Sequence, residues 1–366
     1  MANVVFILGA GASRDGGAPL MGDFLDVAHR LLDANQLEQK AEYFQTVFSA
    51  IGALQSVHSK AQLDLINIES VFNAFVMAKA LGKFPGQENF SGEKVEAAIK
   101  QLIATTLEHT QKFKVRGMRI LPPESYEAFA KLLVHIRSKA VPARTVAVLT
   151  FNYDLGADLA MLQAGLGPAY ALDSSDPARG LPPARGVPLL KLHGSLNWAI
   201  CTQCRKVVPW HLADFLAGIR TMTDSDELRF DVWSSGFTRF RHCDNAVEHE
   251  LPFIVPPTWN KGDHHQTIAP VWQRAAKELT DAEHIFVIGY SLPDTDGFFR
   301  TLYALGAVGP KPLKSFEVFN PEPAGGLVDQ RFQALLGPGA QARYHYHPTG
   351  FRKAIPHLIG MFPPAT

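Results

Sequence analysis

Short apolar runs that break off in small and polar residues alternate along this chain with longer segments whose apolar residues recur every three or four positions. The first pattern reads as buried β-strands and the second as amphipathic helices. Strands are expected at Asn3 to Leu8, Thr145 to Phe151, from Val187 into the stretch VPLLKLHGSLNW that ends at Trp198, Glu283 to Ile288, Ser315 to Phe319 and near Arg343 to His347. Pro188 is compatible with a strand because it stands at its start. Between Leu20 and residue 140 nearly everything follows the helical period, including FLDVAHRLLDA, AEYFQTVFSAIGAL, IESVFNAFVMAKAL, VEAAIKQLIATTLEHT and YEAFAKLLVHIR, which predicts an all-α insertion. Further helices are expected at LGADLAMLQAG, from about Gln266 to Leu279, Phe298 to Leu305, Val328 to Leu336 and a last one to Gly360. Strands separated by helices predict an α/β fold, a Rossmann-like, doubly wound, mostly parallel sheet.

Length and charge narrow the functional classes. At 366 residues the chain can form one large domain or two small ones, since single cores stop growing near roughly 250–300 residues. Lys+Arg and Asp+Glu both number 35, and no charge run suggests a nucleic-acid arm or a polybasic membrane patch. Val4 to Leu8 is too short to span a bilayer and lacks the flanks of a signal peptide, so a cytoplasmic protein is expected, with no membrane and no direct nucleic-acid partner.

The polar exits of the strands carry the candidate chemistry. Gly9, Ala10, Gly11, Ala12 and Ser13 follow the first strand, and strand, glycine turn, helix is the order that brings backbone N–H groups onto a phosphate. A full GxGxxG is absent, because Arg14 stands at the third glycine, and a plain tight turn is the other reading. Asn152 and Asp154 leave the second strand, Asp154 in a position that would also cap the following helix. His193 leaves the third, where it either faces a ligand or merely closes the strand. Gly289 with Ser291, and Asn320, end the next two. The Gly- and Pro-rich stretch 165–186 reads as an exposed connection, a lid or a passive linker. Cys201 and Cys204 have the spacing of half a zinc ribbon, and Cys243 supplies a third thiol. The second pair is incomplete, so the fourth ligand of a structural zinc would be His242, His211 or His249; a degenerate ribbon that has lost its metal is the alternative.

In this order GAGAS (Gly9 to Ser13), TFNYD (Thr150 to Asp154), KLHGS (Lys191 to Ser195), the CxxC at Cys201 to Cys204, PPTWNK (Pro256 to Lys261), GYSLPDTD (Gly289 to Asp296) and FNPE (Phe319 to Glu322) resemble the sirtuin-like NAD-binding family. The pattern is most similar to the bacterial subgroup that hydrolyses NAD in anti-phage defence. The resemblance implies one NAD-binding domain over 1–366, with the helical insertion at 20–140 and a small cysteine-containing module at 196–255. It implies that Asp154 holds nicotinamide, that Asn152 binds the ribose and positions water, and that His193 is the general base. Gly9, Ala10, Gly11, Ala12 and Ser13 would cradle the diphosphate, and Gly289, Ser291 and Asn320 would border the adenosine. The deacylases of the family carry a Pro-Asp-Phe-Arg segment where this chain has Pro19, Leu20, Met21 and Gly22, which favours NAD cleavage over deacylation. A homo-oligomer or a partner, a HerA-type ATPase or a short Argonaute, is expected to control the activity. A protein deacylase and a non-catalytic NAD or ADP-ribose sensor are the alternatives.

Overall fold

The structure is a computed structural model and describes residues 2–55, 65, 67–84, 91–117, 119–138, 144–172, 186–210, 212, 225–228, 241–248, 251–255, 266–309 and 311–363. In chain order these form β1 (Val4–Leu8), α1 (Ala10–Ser13), α2 (Phe24–Asp33), α3 (Ala41–Gln55), α4 (Ile68–Leu81), α5 (Gly92–Thr110), β2 (Phe113–Arg116), β3 (Arg119–Leu121), α6 (Glu124–Ser138), β4 (Val146–Thr150) and α7 (Gly156–Gln163). Then follow β5 (Pro168–Ala169), β6 (Val187–Lys191), β7 (Trp198–Ile200), β8 (Val207–Pro209), β9 (Ser225–Leu228), β10 (Arg241–His242) and β11 (Asn245–Ala246). The last part comprises α8 (Ala269–Thr280), β12 (His284–Ile288), α9 (Gly297–Gly306), β13 (Ser315–Asn320), α10 (Leu327–Leu335), α11 (Pro338–Gln341), β14 (Tyr344–Pro348) and α12 (Phe351–Met361).

Seven strands pair in the order β14-β13-β12-β1-β4-β6-β5, and every pairing is parallel. β1, β4 and β13 are buried along their whole length, as strands covered on both faces must be. That double burial is why β1 and β4 read as near-continuous apolar runs, whereas β13, SFEVFN, buries the polar Glu317 among its apolar residues. Phe6 and its register partner Phe286 face α6 and the end of α12, through Phe129 and Phe362. Phe316, on the other face, packs on Tyr303 of α9 and Phe332 of α10. The sheet is thus doubly wound, and the chain leaves β1 to one side for β4 and returns to the other side for β12. The crevice at the carboxyl ends of β1 and β12 is the switch point where such folds take their ligands.

The stretch 20–140 departs from the all-α expectation. β2 and β3 form a hairpin through Gly117, at φ +58°, and β9 joins them in a three-stranded antiparallel sheet. Two strands of four and three residues carry too few periods to stand out beside long helices. α6 belongs to the sheet: Tyr126, Phe129, Leu133 and Ile136 lie in its core. Helices α2–α5 build a second core around Phe44, Phe72, Ile99 and Leu102, which continues into Leu155 and Leu159 at α7 and into Val208 and Trp210 beside β8. The helix expected from Leu20 starts instead at Phe24, and a four-residue helix begins immediately after Gly9. Among the described residues no helix is long and apolar enough to cross a membrane.

Candidate active site

The carboxyl ends of five adjacent strands, β6, β4, β1, β12 and β13, deliver His193, Asn152 with Asp154, Gly9 to Ser13, Gly289 with Ser291, and Asn320 to one edge of the sheet. Parallel pairing is what collects them, because every strand then exits on the same side. The PPTWNK block at 256–261, His211, His249 and residues 173–185 of the Gly/Pro-rich connection lie outside the described residues.

At the β1–α1 turn the glycines serve the protein's own packing. A Cβ on Gly9 would lie 2.4 Å from the Tyr290 backbone, and one on Gly11 would lie 2.8 Å from Gly289. Gly289 itself sits at φ +63°, where a Cβ would meet the Ala12 nitrogen at 2.4 Å. The two loops touch backbone to backbone: Gly9 N–H donates to the Ile288 carbonyl at 3.1 Å, Gly11 N–H to the Gly289 carbonyl at 2.9 Å and Ala12 N–H to the Gly9 carbonyl at 2.9 Å. Three of the five expected phosphate donors are therefore engaged inside the fold. Ala10, Gly11, Gly289 and Ser291 remain partly open to solvent along this edge.

A buried polar network fixes the β4 exit. Asn152 Nδ2 faces the Gly9 carbonyl at 2.9 Å, Ser13 Oγ at 2.9 Å and Tyr126 OH at 3.2 Å. A carbonyl only accepts, so the amide nitrogen must be the atom on that side. Its oxygen, Asn152 Oδ1, has no protein partner among the described residues. Ser13 Oγ gives its one hydrogen to Asp154 Oδ2 at 2.5 Å, so the Tyr126 hydroxyl donates to Ser13 at 2.8 Å. Burial, and then the charge of Asp154, raises the Tyr126 phenol well above its ordinary value, which keeps it a donor. Asp154 Oδ1 accepts from Gln111 Nε2 at 2.7 Å and from the Gly156 N–H at 2.9 Å, the capping contact expected for α7. Both oxygens of Asp154 are thus occupied inside the protein.

Lys191, the one charge in an apolar strand, is wholly buried. Its ammonium reaches the carbonyls of Asp154 at 2.6 Å and Tyr153 at 3.3 Å and the Asp158 carboxylate at 3.0 Å, so its three hydrogens find three acceptors. Asp158 also accepts from Tyr170 OH at 2.6 Å, and Asn197 Nδ2 donates to that hydroxyl at 3.1 Å. Lys191 therefore ties the loop after β4 to the strand that carries His193.

His193 is 7% exposed, edge-on to Phe151 at 5.0 Å between ring centres. Its carbonyl accepts from the Val255 N–H at 2.7 Å, and Gly194, at φ +84°, lets the turn pass within contact of the Phe253 carbonyl. Nε2 stands 3.5 Å from Asp296 Oδ1, while Asp296 Oδ2 accepts from Tyr290 OH at 2.8 Å. Tyr290 in turn stacks on Phe151 at 4.1 Å. A carboxylate against an imidazole orients the ring. Next to Asp296, Thr295 donates to Glu69 of α4 at 2.9 Å, so the second core reaches this loop. The sequence assigned no role to Tyr126, Gln111, Asp158, Lys191 or Asp296; the hints were a lysine inside an apolar strand and the places of Lys191 and Asp296 in the KLHGS and GYSLPDTD blocks. Asn320 closes a turn by accepting from the Glu322 N–H at 3.0 Å.

The cysteine module gathers all three thiols with His242 as the fourth donor, and the four ligand atoms lie within 4.8 Å of one another. Cys201 and Cys204 flank the turn that leaves β7, and His242 and Cys243 stand where β10 turns into β11. His242 Nδ1 lies 3.2 Å from Cys243 Sγ and 3.6 Å from Cys204 Sγ. Burial pushes the Cys201 thiol up, but hydrogen bonds from the Cys204 and Gln203 backbone and His242 outweigh it and bring it to about 7. Cys243 moves the other way, to about 11, through desolvation and then the neighbouring sulfurs of Cys204 and Cys201. Crowded sulfurs of this kind fit a tetrahedral structural zinc, which three Cys and one His would hold. The module that seemed incomplete in sequence thus has four donors in place.

No protein-family model matches the chain, and no curated protein matches it. Among solved structures it is similar to a Sir2 homologue in complex with NAD, at 15% identity over 98% of this chain and 88% of that one with a TM-score of 0.43. A mutant Sir2 homologue with ADP-ribose matches at 12% identity over 98% and 90% with a TM-score of 0.41. A Sir2, p53 peptide and NAD+ complex matches at 13% identity over 98% and 92% with a TM-score of 0.38.

Proposed function

We propose that the chain is an NAD glycohydrolase that cleaves the bond between nicotinamide and ribose, giving ADP-ribose and nicotinamide. The observation that carries this reading is the convergence of His193, paired with Asp296, and Asn152, fixed by Ser13 and Tyr126, at the switch-point edge of a parallel sheet. NAD would lie along that edge, its diphosphate against the partly open Ala10 and its adenosine toward Gly289, Ser291 and Asn320. Nicotinamide leaves with the bonding electron pair, and positive charge develops on the ribose. Asn152 Oδ1, which has no partner among the described residues, accepts from a ribose hydroxyl or the attacking water. As the water oxygen bonds to the ribose carbon, His193 takes its proton and Asp296 stabilises the imidazolium that forms. Asp154 is bound inside the protein by Ser13 at Oδ2 and by Gln111 and the Gly156 N–H at Oδ1, so it holds Asn152 in place through Ser13, and the spare acceptor capacity of Oδ2 is what it offers the nicotinamide carboxamide.

The deacylase alternative draws support from one observation, the full set of Cys201, Cys204, His242 and Cys243, since an ordered zinc module would wall a peptide groove. Acyl-lysine-dependent nicotinamide release would favour it. Control of an NAD-depleting activity in anti-phage defence, by oligomerisation or by a HerA-type ATPase or short Argonaute, completes the proposal, with α2–α5 as the assembly surface. The test is nicotinamide release from NAD by the full chain, alone and with a co-encoded partner, beside His193→Ala and Asn152→Ala checked for folding by circular dichroism. Release lost by about 10²–10⁴-fold in His193→Ala is the expected result. Full activity in that variant overturns the assignment, and NAD binding without release in the wild type leaves the sensor reading.

A further inference from the structure

Away from this edge, on the face of the sheet covered by α6 and α12, Glu317 of β13 is a buried carboxylate with an unusual set of neighbours. Its register partner on β14 is His345, and His347 follows two residues later on the same face. Glu317 Oε2 accepts from His347 Nε2 at 2.6 Å, and Oε1 lies 3.2 Å from His345 Nδ1. From α12, His357 brings its ring to 4.6 Å from that of His347, tilted by 54°. Phe319 stacks on His347 at 4.6 Å and holds its plane. One donor atom each from Glu317, His347 and His357 lies within 4.8 Å of the other two.

A carboxylate only 6% exposed needs a compensating cation, and among the described residues Glu317 pairs with no lysine or arginine. Among the described residues imidazoles are its only polar side-chain partners, and an imidazole is a ready metal ligand. We propose that Glu317, His347 and His357 bind a divalent transition-metal ion of the zinc class, with His345 holding the second oxygen of Glu317 in place. Two imidazoles and one carboxylate suit such an ion and leave a fourth position for water. Metal–ligand bonds of about 2.0–2.2 Å set tetrahedral donors roughly 3.3 Å apart, so the His347–Glu317 hydrogen bond opens slightly, Nε2 takes the metal, and the neutral imidazole carries its hydrogen on Nδ1. The ion would fasten α12 to β14, the edge strand of the sheet. This site is independent of the proposed NAD chemistry and shares no residue with the cysteine cluster.

The experiment is zinc content by elemental mass spectrometry on the full chain, loaded with Zn²⁺ and freed of excess, for wild type, His357→Ala, Glu317→Gln and Cys204→Ser. His357 is exposed, so its replacement leaves folding intact. The wild type is expected to retain one zinc more per chain than either His357→Ala or Glu317→Gln. In the Cys204→Ser background added Zn²⁺ should raise the melting temperature, and His357→Ala should abolish that rise. Cobalt loading separates the two clusters, because only the thiolate cluster gives sulfur charge-transfer absorption. Equal zinc content in wild type and His357→Ala, with no zinc-dependent rise in melting temperature, overturns the proposal and leaves the histidines as hydrogen-bond partners of Glu317 alone.

Discussion

Asn152, Asp154 and His193 stand out in the sequence because each ends a recognisable apolar run, yet their working environments come from residues far away in the chain. Ser13, 141 positions before Asp154, joins the two halves of the β4 exit, and Tyr126 and Gln111 complete it. None of these shows a local pattern that distinguishes it from an ordinary helix or turn residue. Lys191 does show one, since a lysine within a buried strand must find acceptors. Lys191→Met should cost about 3–5 kcal/mol in chemical denaturation, because it strands the Asp158 carboxylate, and adding Asp158→Leu should recover part of the loss. Asp296→Asn should lower nicotinamide release while leaving the melting temperature within a few degrees of wild type. An unchanged rate would remove Asp296 as the group that orients His193.

At the level of elements, the GAGAS turn illustrates what a motif does and does not determine. The strand and its glycine-rich exit were legible and the short helix at Ala10–Ser13 was not, and the glycines answer to the close passage of two loops, in which Gly9, Gly11 and Gly289 lie backbone against backbone. Gly289→Ala should therefore destabilise the fold by more than about 1 kcal/mol, through its positive φ and the clash with Ala12, and should do so without any nucleotide present. The β2–β3 hairpin was illegible for a different reason: its short alternation of apolar and polar residues is set against the second core and β9, not by propensity. At the far end of the sheet, Asp329 holds α10 to β14 by accepting from the Gly325 N–H at 2.7 Å, Tyr344 OH at 2.7 Å and Gln333 Nε2 at 2.9 Å. Burial alone would raise this carboxyl, but the three donors outweigh it and hold it below the ordinary range. A lowered carboxyl stabilises the fold above its unfolded value and loses that contribution as pH falls through the folded one. Asp329→Asn should accordingly flatten the acid limb of a pH–stability profile while leaving its neutral-to-basic part parallel to that of the wild type.

Across the whole molecule, two cores meet at α7 and at the cysteine module, whose residues contribute to both: Trp198 and Val207 pack with the sheet, Ala199 and Val208 with α2–α5. Removing a zinc from Cys201, Cys204, His242 and Cys243 should therefore lower the stability of both cores together, visible as one earlier thermal transition after chelation and as the same shift in Cys204→Ser. A zinc-free chain with an unchanged transition would mean that the cluster contributes nothing to the fold. The sequence by itself determined the α/β class, six of the seven strands of the sheet and the polar residues at their exits, because burial on two faces and helical periodicity are written in runs of neighbouring residues; the two-residue β5 lies in the stretch that reads as an exposed connection. Only the tertiary structure decided the strand order, the switch point between β1 and β12, the partners of Asn152, Asp154 and His193, the choice of His242 as fourth donor, and the histidines around Glu317. Those outcomes depend on which distant segments pack together, and a hydrogen bond or a shared ligand between residues many tens of positions apart leaves no periodic trace in either segment.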